Sequence, residues 1–160
     1  MLPRVILAVI LFCVSYEGLA KSDAHVDADV VSVSNASLGH NATVTVRSAE
    51  IESRDIYADA EEGNYPRRFR VVGSVNITVD GRSIFVPRSV FSDLAWVGSV
   101  RLRSEKSKFL LIFLCGDASE SFEVAVVFDR DRVRTRYLYD SGASGRLLER
   151  TTYYEDVGSN

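Results

Sequence analysis

Two cysteines, two histidines, one methionine, one tryptophan and three prolines are all that the 160 residues carry of these types, and each scarcity excludes something. Cys13 lies in an N-terminal apolar run, which leaves Cys115 alone in the rest of the chain, without a partner for an intramolecular disulfide. Stability has to come from packing. His25 and His40 are the only imidazole bases, and both sit in a polar N-terminal region, away from the Asp117, Ser119, Glu120 and Ser121 group. There is no Gly-x-Ser-x-Gly elbow, His-Glu-x-x-His pair, Cys–His pair or phosphate-binding loop. A glycosidase-like pair of carboxylates stays open, because 22 Asp and Glu supply many candidates. The expectation is a protein that is not an enzyme, with no cofactor and no metal. His25, Asp27 and Asp29 alternate as ligands on a strand would, but no second cluster of ligands accompanies them.

Long helical periodicities are also missing. Residues 1–20 place Arg4 before an apolar run at 5–14 and end in Gly18-Leu19-Ala20, the pattern of a secretory signal peptide. That run is well short of the roughly 20 residues that cross a bilayer. Phe12, standing before Cys13, argues against lipid attachment, so the mature chain is expected to begin near Lys21 as a single β domain of residues 21–160, with 21–29 disordered. An exported chain without disulfides points to a Gram-negative periplasm. Three Asn-x-Ser/Thr sequons, at Asn35, Asn41 and Asn76, would be glycosylation sites in a eukaryotic secretory pathway.

What is present is strand pattern. Residues 109–115 form an unbroken apolar run, and Phe122, Val124, Val126 and Phe128 alternate after a Gly-Asp-Ala-Ser break, which predicts two antiparallel strands at the centre of the core with Cys115 buried and inert. Val75, Ile77 and Val79 alternate up to Asp80-Gly81, the strongest turn signal in the chain, and a second strand runs to Pro87. Further strands are expected near 30–33, 41–47, 99–104, 133–139 and 147–154, with a loop over 48–66 and one short helix near 88–97. The resulting fold class is all-β, an antiparallel β-sandwich or small open barrel of about eight strands, largely a meander. Parallel α/β is excluded, because its crossovers need helices of about a dozen residues.

Charge is segregated along the chain. Residues 21–66 hold three basic and nine acidic side chains, 67–108 nine basic and three acidic, and 109–160 six basic and nine acidic, which together give the net charge of -3. An acidic exported protein is a poor candidate for nucleic acid. The middle segment can either pair with the acidic one or form a basic face, and Arg82, Arg101 and Arg103, with Arg134 and Arg136 facing outward from the penultimate strand, are the candidate partner-binding residues. The function expected from all this is a small periplasmic or secreted protein that binds another exported protein, such as an immunity protein or an inhibitor of a toxin or cell-wall hydrolase. The alternatives are an envelope-maintenance protein that uses the sheet edge at Thr151 to Tyr154, and a hydrolase with an unrecognised carboxylate site.

Overall fold

The computed structural model describes residues 22–25, 30–37, 39–52, 68–116, 121–141 and 145–154. They form an all-β sandwich of two antiparallel sheets. One is a four-stranded meander of β2 (Val30–Ser37), β3 (His40–Glu52), β4 (Arg68–Val79) and β5 (Arg82–Ile84), in that order. The other is a meander of β6 (Val97–Glu105), β7 (Lys108–Cys115), β8 (Phe122–Phe128), β9 (Val133–Asp140) and β10 (Leu147–Thr152), to which β1 (Ser22–His25) adds a sixth strand beside β6.

Alternation builds the core. Val31 and Val33, Ala42, Val44 and Val46, and Val75, Ile77 and Val79 point from one sheet toward Val100 and Leu102, Phe109, Leu111, Phe113 and Cys115, and Val124, Val126 and Phe128 of the other. Phe109 and Phe128 are register partners, and their rings stack with centroids 5.4 Å apart. Between the sheets, Asn35 Nδ2 donates to the Leu102 carbonyl at 3.2 Å. Asn35 is therefore buried in the sandwich and not the exposed sequon that its triplet suggested, whereas Asn41 and Asn76 are exposed.

The Asp80-Gly81 turn forms as expected. Both residues have positive φ, 51° and 79°, the type I′ geometry whose twist matches the flanking strands. Asp80 also accepts the Asn41 amide at 2.8 Å and contacts His40 Nδ1 at 2.6 Å, so its carboxyl sits below the ordinary value of 3.8, chiefly because of the amide bond.

Three local expectations differ from the structure. Residues 88–97 hold a single 3-10 turn, Arg88–Val90, rather than a longer helix, because Leu94, Ala95 and Trp96 pair instead with β4: the Val72 amide donates to the Leu94 carbonyl and the Trp96 amide to the Arg70 carbonyl. β3 runs on to Glu52 where a loop was expected, with Glu50 set opposite Arg70 on β4, and 53–67 lie outside the described residues. Ser22–His25 is a paired strand rather than a disordered start.

Candidate binding face on the six-stranded sheet

The side chains that sequence reasoning singled out do not converge. Arg82 is exposed in the β4–β5 hairpin of the four-stranded sheet. Arg134 is half-buried and donates through Nε to Asp129 Oδ2 at 2.5 Å. Burial of Asp129 would raise its pKa, but amide bonds from Asp131 and Arg132 and the Arg134 guanidinium together hold it below the ordinary range.

Arg136 corrects the expectation most sharply. The alternation of Val133, Thr135, Tyr137 and Tyr139 predicts arginines on the outer face, yet Arg136 is only 3% exposed. The reason is a bulge. Val127 pairs with Thr135 while Phe128 pairs with Val133, so Arg134 is an extra residue and the faces exchange beyond it. Arg136 and Leu138 then face inward opposite Val126 and Val124, and Tyr137 and Tyr139 face out. The buried guanidinium is satisfied by the Val90 carbonyl at 3.2 Å, Asp93 at 2.5 Å and Glu149 at 3.4 Å, which fastens the β5–β6 connection and the β10 edge to β9.

Arg101 and Arg103 do share a surface, the outer face of the six-stranded sheet. Register places three rows across it: Ser99, Leu114, Glu123 and Tyr139; Arg101, Ile112, Ala125, Tyr137 and Arg150; and Arg103, Leu110, Val127, Thr135 and Thr152. The middle of this face is aliphatic and aromatic. Tyr137 and Tyr139 stack at 6.0 Å, and the Arg150 guanidinium lies 5.7 Å from the centre of the Tyr137 ring. Toward the β6–β7 turn the face opens into a cleft of about 390 Å³ lined by Lys106, Lys108, Leu110, Val127, Tyr137 and Arg150 among others. At its centre Ile112 and Ala125 are buried, so the open apolar surface of this face is that of Leu110, Leu114, Val127 and the two tyrosines, each half-buried. Tyr137, Tyr139 and Arg150 were missed from sequence. The signal for the tyrosines was their own period-two spacing, assigned to the wrong side because the bulge is invisible in a single strand.

The candidates for other chemistry are dispersed. His40 and Asp80 pair at an exposed turn, and Ser121 Oγ pairs with Ser141 Oγ. Asp117, Ser119 and Glu120, like Asp27 and Asp29, lie outside the described residues. Among the described residues no group of three or more His, Cys, Asp or Glu is placed to hold a metal ion, and no helix is long and apolar enough to cross a membrane. Cys115 is fully buried on the inner face, where desolvation first, and then Asp93, push its thiol up to about 12 against the opposing pull of Arg136. Compared with known proteins, the chain matches no family model, no curated protein and no solved structure.

Proposed function

We propose that this is an exported binding protein without catalytic activity, and that it recognises another protein through the outer face of its six-stranded sheet. One observation carries the reading. β7 is apolar on both faces, with Phe109, Leu111, Phe113 and Cys115 inward and Leu110, Ile112 and Leu114 outward; the second sheet covers only the inward set, while on the outer side Ile112 is 5% exposed and Leu110 and Leu114 are half-buried. Strands apolar on both sides belong in sheets covered on both sides. An apolar strip rimmed by charge is the anatomy of a protein-binding surface, and arginine and tyrosine are the residues that carry most energy in such contacts. An immunity protein or an inhibitor of an exported enzyme would work in this way.

The test is capture from the export compartment at low salt, using the native chain beside Val127→Glu and an Arg101→Glu/Arg103→Glu double variant. The expected result is a stoichiometric partner retained by the native chain, lost with Val127→Glu, and associating more slowly and with weaker salt dependence in the double variant. A partner held equally by all three would sink the proposal.

The sheet edge supports a second reading. β10 is an edge strand with five of its six residues exposed, which leaves backbone groups for an added strand. Deleting residues 147–160 also removes Arg150 of the face, so retention of the partner is the decisive outcome. A truncated but folded chain that keeps its partner places recognition on the face and not the edge.

A further inference from the structure

Given that the outer face is the binding surface, on which this step rests, we infer that its occupant is an acidic amphipathic α-helix of the partner, with an aliphatic stripe flanked by Asp and Glu.

The dimensions favour a helix. Leu110, Ile112 and Leu114 extend over four residue steps of about 3.3 Å, or about 13 Å of strip. An α-helix rising 1.5 Å per residue covers that length with about nine residues. Across the strip, β6 and β10 are four interstrand steps apart, which puts the Cα atoms of Arg103 and Arg150, one row apart along the strands, about 20 Å from each other. A helix about 10–12 Å wide fits between them and leaves room for guanidinium groups to meet carboxylates on both flanks.

Backbone chemistry excludes the extended alternative on this face. A strand laid flat over Leu110, Ile112 and Val127 would bury its amides and carbonyls against hydrocarbon with nothing to bond, because the sheet's own ladder is complete. A helix arrives with those groups already satisfied. It is also the element that ordinarily covers the second face of a sheet.

Charge gives the sign and the direction. Arg103, Lys106, Lys108 and Arg150 make no ion pair within 4 Å with any described carboxylate. Glu105 stands among them at the β6–β7 turn and Glu123 lies in the row beyond Arg150, so four cations against one carboxylate leave the face positive toward that turn and less so at the other end. That polarity suits acidic flanks and a helix whose C-terminal end, negative by its dipole, points at the Lys106–Lys108 cleft. Single-stranded nucleic acid fits less well. Its bases would need open aromatic rings, and Tyr137 and Tyr139 already stack on each other with Arg150 beside Tyr137.

A displayed library of random 14-residue peptides, selected on the immobilised full chain, tests this. Enriched sequences are expected to carry apolar residues at i, i+3 or i+4 and i+7 with Asp or Glu on the flanks, and to lose at least tenfold in affinity to an Arg103→Glu/Arg150→Glu variant. Both positions are exposed, so that variant is expected to fold, which far-ultraviolet circular dichroism checks. Enrichment of alternating or basic sequences that still depend on Arg103, Arg150 and Val127 overturns the helix and keeps the face. Peptides that bind independently of all three, or no enrichment, overturn the helix and count against the face. A labelled oligothymidine that binds the native chain and is lost in the double variant replaces the helix with nucleic acid.

Discussion

Arg136 Nε donates to the Val90 carbonyl at 3.2 Å, so a charged residue on the inner face of one sheet holds the connection that crosses to the other. Asp93 and Glu149 are each more than half exposed and can return to water when the guanidinium is removed, but the Val90 carbonyl and the space under β9 cannot. Arg136→Ala is expected to cost about 2–4 kcal/mol, whereas Asp93→Ala and Glu149→Ala cost under about 1 kcal/mol each. Urea unfolding of the three variants checks the order, and an Asp93 variant as damaging as the arginine one would refute it.

Cys115 supplies a pH prediction. Its folded pKa of about 12 lies above the ordinary 9.0, so in that window the unfolded chain gives up a proton that the folded chain keeps. The sign follows from the proton count: stability is fully present below pH 9.0 and falls as the pH rises through the window, by about 1.4 kcal/mol per unit. The decline is expected in the native chain and absent from Cys115→Ala, read as the difference between their urea midpoints from pH 8 to 11. Maleimide is expected to label the native thiol only after denaturation, and rapid labelling would contradict its burial.

At the β4–β5 turn the two residues fail for different reasons. A Cβ at Gly81 meets nothing within 4 Å, so Gly81→Ala pays only for φ of +79°, about 1–2 kcal/mol. Asp80 has a lowered pKa, so its contribution is present above pH 3.8 and disappears as the pH falls through its folded value. Asp80→Asn, which still tolerates positive φ, is expected to unfold with a shallower acid limb than the native chain. Identical acid limbs would show that the Asn41 and His40 contacts contribute nothing.

Neighbouring positions on β8 separate the two faces of the sheet. Val124 is fully buried opposite Phe113, and Val124→Asp costs several kcal/mol against a total of about 5–15 kcal/mol, enough to lose the protein to unfolding or degradation. Glu123→Lys, on the outer face, is expected to leave the unfolding midpoint within about 0.5 kcal/mol of native. Equal loss of both proteins would mean that the outer face is itself core.

These contrasts also show what the sequence could reveal. β7, β8 and the Asp80-Gly81 hairpin were legible because one rule, period-two burial or positive φ, decides each of them. β9 was not, since the residue that inverts its faces is identified only by the mismatch between Val127–Thr135 and Phe128–Val133. The extension of β3 through Glu52 was hidden for a similar reason: an acid-rich stretch reads as loop until Arg70 on β4 is seen opposite Glu50. The candidate site was half legible. Arg101 and Arg103 were placed on a real surface, but the side chains that give it character lie across four strands, and only register unites them.

In both sheets every strand from β2 to β10 has its chain neighbours as its sheet neighbours, save at the crossing from β5 to β6. β1 is the exception, for Ser22–His25 reaches across more than seventy residues to Ser99–Leu102. Nine strands can therefore zip up through nearby closures, while the tenth must wait for the whole sandwich. β1 is expected to be the last ladder to form and the first to open. In hydrogen exchange, amides that β1 shields on β6 should lose protection well before those held between β7 and β8, giving the molecule a seam along which it begins to come apart.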